Sequence, residues 1–182
     1  RPPPEHDVTD RDPELQRLLD IEAIRTLVVR FVQLGDQNDH HGWIDECLHD
    51  DVEWAVRHID DARVTAGVDV LHGKEAVREV VTTVGYRGIE PGLWHGSHIV
   101  SPPVVTVDGD TAHAVTDAVW LWHVPSDGPR GELTVGALTY DVPDYRIISV
   151  VQWRDELVRT PAGWRIKVHR PARLGTAPRR SP

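Results

Sequence analysis

"VDGDTAHAVTDAVWLWHV", residues 107–124, decides the architecture. Its Asp108-Gly109 pair sits between two strand-like runs, which is a strong signal for a tight hairpin turn. The run that follows is too long and too rich in β-branched and aromatic residues for a loop. Downstream, "RIISVVQWRDELVR" (146–159) and "WRIKVHRP" (164–171) are joined by "TPAG" and form a second long hairpin. Upstream, "LWHGSHIV" and "VVTV" flank Pro102-Pro103. The second half of the chain is therefore strand-like and antiparallel, with a Pro/Gly-interrupted excursion over 125–145.

The first half reads differently. Asp12-Pro13-Glu14 is a helix start, with a capping carboxylate, Pro in the first turn and an acid near the positive helix end. Leu15, Leu18, Leu19, Ile21, Ile24, Leu27, Val28, Phe31 and Val32 recur at helical spacing, so a helix is predicted over roughly 13–35. "HHGWIDECLHDD" holds a short second helix ending before Asp51, "DVEWAV" (51–56) a first strand, and "KEAVREVVTTV" a third helix after "VDVLHG" (68–73). Helices first and long strands after predict an α+β fold: a curved antiparallel sheet wrapped around three N-terminal helices, a cone with one open mouth. One domain is expected over 13–173, between a polar Pro-rich tail (1–12) and a disordered tail (174–182).

Composition narrows the partners. The formal charge is −9, which argues against phosphate-driven nucleic-acid binding and against an anionic membrane surface. No apolar run approaches the roughly 18 residues of a membrane span. "RPPPEHDVTDRD" lacks the apolar stretch of a secretory signal. Cys47 is the single cysteine, so no internal disulfide can form, and a reducing, cytoplasmic setting is expected. Seven Trp against one Phe is unusual, and Trp supplies large rigid walls with a polar handle.

Several pieces taken in order resemble a known family. These are "LGDQND" at the end of the first helix, "LHDDVEW", "LHGKEAVREVV", a His-bearing strand before "VDGDTAHA", and "WRDELVRTPAGWRI". Over about residues 16–172 the chain resembles the SnoaL-like domains of the nuclear-transport-factor-2-like superfamily. The resemblance implies an α+β cone, a homodimer or homotrimer, and a range of activities that fold alone does not settle. One subgroup holds scytalone dehydratase, the bile-acid dehydratase and hexachlorocyclohexane dehydrochlorinase. It carries a catalytic Asp at the end of the first helix, paired with a His on the strand before the hairpin. The matching positions are Asp36 and His98, with His95 as a substitute if the two prolines shift the register.

The residues allow the same pairing on their own terms. Val28, Val32 and Asp36 share one helix face if the helix persists, and that face is the buried one. A carboxylate there, at the negative end of the helix dipole, is costly unless it has a partner. If the helix instead stops at Gly35, Asp36 is a solvated cap. Strand alternation puts Trp94, Gly96, His98 and Val100 on one face. An Asp–His pair is a general base, the carboxylate fixing the tautomer and stabilising the imidazolium.

Trp54, Trp120 and Trp153, with Gln152, are candidate pocket walls. Arg170 continues the apolar face of Trp164, Ile166 and Val168 and is a candidate for holding a substrate oxygen, with Arg173 a weaker one. Gln152 is a second candidate for that oxygen.

Other chemistries find less support. The adjacent His40 and His41 point apart on a turn, and "HGSH" places two His on opposite strand faces, so no metal site is predicted. There is no nucleophile elbow and no glycine-rich phosphate loop. The expected activity is cofactor-independent: a lyase or isomerase, such as a dehydratase or polyketide cyclase, in which a His–Asp base acts on a small, mostly apolar molecule, polycyclic ones included. The alternative is a non-catalytic ligand-binding or accessory oligomeric subunit. A third reading, epoxide hydrolysis, would recruit Asp117 and Asp155.

Overall fold

The computed structural model describes residues 12–55, 70–84, 96–123, 131–135, 138–142 and 145–173. Residues 1–11 and 174–182 of the tails read from the sequence, and the loop between the third helix and the following strand with His95, lie outside these residues. Helix α1 spans Pro13–Asp36, α2 His40–Cys47 and α3 Lys74–Glu79, the last continuing as a π-helical turn over Val80–Val84. The strands are β1 (Leu48–Ala55), β2 (Val70–His72), β3 (Gly96–Val100), β4 (Val104–Asp108), β5 (Thr111–His123), β6 (Gly131–Val135), β7 (Leu138–Val142), β8 (Tyr145–Thr160) and β9 (Gly163–Arg173). Among the described residues, no helix is long and apolar enough to cross a membrane.

Seven strands form one curved, unclosed sheet in the order β2-β1-β9-β8-β5-β3, with β4 also paired to β5. Every pairing in it is antiparallel except β1 with β9, which makes the sheet mixed. The long hairpin expected from Asp108-Gly109 is present, with Gly109 at φ 58° in the turn between β4 and β5. Within the 125–145 excursion, β6 and β7 form a separate two-stranded hairpin. Strand β1 starts at Leu48, three residues earlier than its alternation suggests, because α2 hands directly into it after Cys47.

Helix α1 is capped as its sequence predicts: the Asp12 carboxylate accepts from the backbone N–H of Glu14. The residues it buries toward the sheet include Asp20, Ile24, Val28 and Val32, each four after the last. The main core joins Ile24 and Leu34 of α1, Trp43, Ile44 and Cys47 of α2, Leu48 and Val52 of β1, and Leu157, Trp164 and Ile166 of β8 and β9. A second cluster, Val32, Ala118, Val151 and Trp153, lies further along α1, toward its C-terminus.

Candidate active site

The stretch "LGDQNDHHGW" (34–43) resolves into two carboxylates with different work. Helix α1 runs through Gly35 to Asp36 and is capped by Gln37. Asn38 takes the left-handed conformation, φ 61°, and its N–H donates to the Gly35 carbonyl; asparagine tolerates this at a helix end. Asp39 then caps α2, accepting from the Gly42 N–H at 2.8 Å. A Cβ on Gly42 would collide with the Asp39 carboxylate, so this cap needs glycine. Asp39 is structural; Asp36 is left in phase with Val32 and aimed at the sheet.

Asp36 there meets His98 on β3, 62 residues away in sequence, and both its oxygens are used. Oδ1 lies 2.7 Å from His98 Nδ1, and Oδ2 accepts the backbone N–H of His98 at 2.8 Å. A carboxylate held at two points of one residue fixes both the ring and the strand beneath it. An ionised carboxylate only accepts, so Nδ1 carries the proton and, in the neutral ring, Nε2 carries the lone pair. The side chains of His98 and Asp36 are 21% and 19% exposed, which leaves the pair partly buried but reachable. The His98 ring stacks on Trp120 at 5.8 Å and 12°, and the Trp153 ring lies 5.7 Å away, tilted.

The two prolines after His98 split one strand into two. Both β3 and β4 pair with β5, Ser101 bridging them through its N–H to the Asp117 carbonyl and its hydroxyl from the Asp117 N–H. His98 sits on the near side of this break, opposite Trp120, so its register is undisturbed. His95, the substitute, lies outside the described residues.

Trp153 and Trp120 flank His98, and Trp54 of β1 stands further along the same aromatic lining, 5.7 Å from Phe31. Gln152 and Arg170 do not join them. Gln152 neighbours inward-facing Trp153 on β8 and so points to the outer face, bonding Asp117 and Arg154. Arg170 pairs with Glu156 and Glu53 on that outer face. The reason is a bulge. Glu156 pairs with Val168 but Leu157 with Ile166, so β9 carries one extra residue, Lys167, against β8. Alternation from Trp164 and Ile166 is reset there. His169 takes the inward position that regular alternation assigns to its neighbour, and Arg170 turns out. Asp117 is likewise on the outer face, and Arg173's side chain lies outside the described residues.

Sequence reasoning missed what the bulge brings in. His169 Nδ1 lies 2.7 Å from Asp155 Oδ1, and both side chains are almost fully buried. His169 stacks on Trp54 at 4.1 Å and meets Trp153 edge-on at 5.5 Å. No local signal marks an extra residue in β9; only the inward phase of Asp155, two after Trp153, was readable. Elsewhere, burial pushes the Cys47 thiol up to about 12, so it is no nucleophile. Among the described residues, no three His, Cys, Asp or Glu side chains gather as a metal would require.

Comparison with known proteins places the chain. The model of the SnoaL-like domain matches residues 16–170. The chain belongs to the SnoaL-like family. Its fold is that of the nuclear-transport-factor-2-like proteins. One such protein with a cystatin-like fold, from Novosphingobium aromaticivorans, superposes with a TM-score of 0.66 at 24% identity, covering 96% of this chain and 95% of its own. A candidate scytalone dehydratase from the same organism gives 0.63 at 14% identity, covering 93% of each chain. A candidate dehydratase from Streptomyces avermitilis gives 0.62 at 17%, covering 88% of this chain and 99% of its own. At these identities the likeness of these structures speaks for the fold alone. No curated protein matches the chain.

Proposed function

We propose that this SnoaL-like chain is a cofactor-independent lyase or isomerase in which His98, oriented by Asp36, is the general base. The observation that carries the reading is the two-point hold of Asp36 on His98, 2.7 Å to the ring and 2.8 Å to the backbone, beside the Trp120 and Trp153 rings. Nε2 takes a proton from a carbon next to a carbonyl or a leaving group. Asp36 then stabilises the imidazolium that forms. The aromatic surround favours a flat, mostly apolar substrate, polycyclic ones included, and low polarity strengthens the electrostatic hold of the Asp36 carboxylate on that imidazolium.

The reading extends to self-association. The outer face of β3, β4, β5 and β8 exposes Ile99, Val104, Val115, Ile147 and Val150, an apolar surface that a second copy of the chain would cover in a homodimer or homotrimer.

A flat probe that needs only a base tests the chemistry without knowledge of the substrate. In 5-nitrobenzisoxazole, removal of the C–H proton breaks the N–O bond and releases a coloured cyanophenolate. The wild-type protein is expected to turn it over faster than the same concentration of free imidazole. His98→Ala should lose about 10²-fold and Asp36→Asn at least about tenfold, with unchanged circular dichroism. A wild-type rate no better than imidazole, or a full rate in His98→Ala, would remove the pair from the mechanism.

A further inference from the structure

The second His–Asp pair has no evident structural need. His169 and Asp155 are 4% and 2% exposed, on a sheet face otherwise lined by Val151, Trp153, Leu157, Trp164 and Ile166. A buried polar pair of this kind contributes little net stability, since apolar residues of the same size would serve as well or better. Yet the chain places a bulge at Lys167 that turns His169 inward. Its Nδ1 is held by Asp155, and its Nε2 makes no hydrogen bond to a described residue. Nor is Nε2 among the described polar atoms that are both sealed and partnerless. The same Trp153 ring lies 5.7 Å from His98 and 5.5 Å from His169. The two imidazoles thus stand on either side of one indole, on the same inner face.

We propose that His169, held by Asp155, is the general acid that complements His98, so that the site takes a flat substrate whose departing or charge-gathering oxygen lies on the His169 side of Trp153. This rests on the reading of His98 as base. In an elimination, His98 Nε2 takes the proton of the C–H bond, and that electron pair becomes the new double bond. The C–O bond breaks, and its electron pair takes the proton from His169 Nε2, so water leaves. His98 ends protonated and His169 neutral, and proton exchange with solvent resets both. In an isomerisation, the same proton goes to the carbonyl oxygen as the enol forms. The Asp155 carboxylate makes the protonated pair net neutral, which is what allows a buried imidazole to hold a second proton.

General-acid help matters more for a poor leaving oxygen than for a good one, and a merely structural role lacks that signature. The probes are therefore unsubstituted benzisoxazole, whose phenolate leaves poorly, and 5-nitrobenzisoxazole, whose phenolate leaves well. The variants are His169→Phe, which keeps a ring against Trp54, and the double change His169→Phe with Asp155→Leu, which leaves no unpaired buried charge. The expected result is a loss in kcat of about 10²-fold on the unsubstituted probe but under about tenfold on the nitro probe, with KM unchanged. Equal losses on both probes, or none, in a folded variant overturn the proposal while leaving His98 in place. Failure of the wild-type protein on the nitro probe takes down the His98 reading, and this one with it.

Discussion

The two ends of one helical stripe carry carboxylates with opposite fates. Asp20 and Asp36 bracket Ile24, Val28 and Val32 at steps of four. Asp20 is bound by Arg159 through both guanidinium NH groups, at 2.8 and 2.6 Å, and by the Trp164 indole, while Arg159 also covers the Trp164 ring. Its main partner, Arg159, is permanently charged and grips both oxygens, so Asp20 is a tie between helix and sheet. Asp36 is bound by one histidine, whose proton can move. The Arg159 hydrogen bond holds the Asp20 carboxyl below the usual carboxylate range, against the burial that opposes it. A depressed folded pKa stabilises the fold above the unfolded value of about 3.9 and loses that contribution as pH falls through the folded one. Asp20→Ala is therefore expected to cost roughly 3 kcal/mol at neutral pH. That is the low end for breaking a buried pair, because the Arg159 side chain is 32% exposed. The deficit against wild type in urea melts should shrink below about pH 4; a deficit that does not change with pH would contradict the assignment. At Cys47 the thiol raised to about 12 predicts slow alkylation in the native state at pH near 8, read by mass spectrometry, and fast alkylation only after unfolding.

Two elements set the site, and they differ in how legible they are. Strand β3 could be placed from sequence because it precedes an Asp-Gly hairpin and alternates regularly, which grouped His98 with Gly96 and Val100; its pairing with inward-facing Trp120 makes that the inner face. The persistence of α1 to Asp36 follows from Asn38, which supplies the left-handed residue two positions later. Strand β9 was not legible. Its apolar run Trp164, Ile166, Val168 looks regular, and a bulge leaves no mark in composition, so Arg170 was assigned the inward place and His169 was passed over. Gln152 was misplaced for a simpler reason, since it neighbours Trp153 on a two-residue period and cannot share its face. The hairpin itself carries a prediction. Gly109 stands at φ 58° and an added Cβ would meet nothing within 4 Å, so Gly109→Ala should cost only the left-handed strain, about 1 kcal/mol by thermal melting. A neutral substitution would mean that the turn relaxes to another type.

For the whole molecule, the sheet divides the labour. Its inner face holds both His–Asp pairs with the indoles of Trp54, Trp120 and Trp153, and its outer face carries exposed Ile99 and Ile147 at 60% and 65%. If that outer face joins two copies, Ile99→Glu with Ile147→Glu should lower the molar mass measured by light scattering toward 20.5 kDa, with the spectroscopic fold retained. A wild-type chain that is already monomeric at micromolar concentration would end the self-association reading without touching the inner face. The α+β class and the helices-then-strands order were readable because period and turn chemistry are local. The parallel β1–β9 pairing depends on contacts more than 100 residues apart in sequence, for which one chain offers no local signal. The central claim, that Asp36 sets His98 as a base, is read most directly by nitrogen NMR of the 15N-histidine-labelled protein at neutral pH. The account predicts a proton on His98 Nδ1, a pyridine-like Nε2, and loss of that single tautomer in Asp36→Asn. A proton on Nε2 of neutral His98, or a tautomer indifferent to Asp36→Asn, would contradict it.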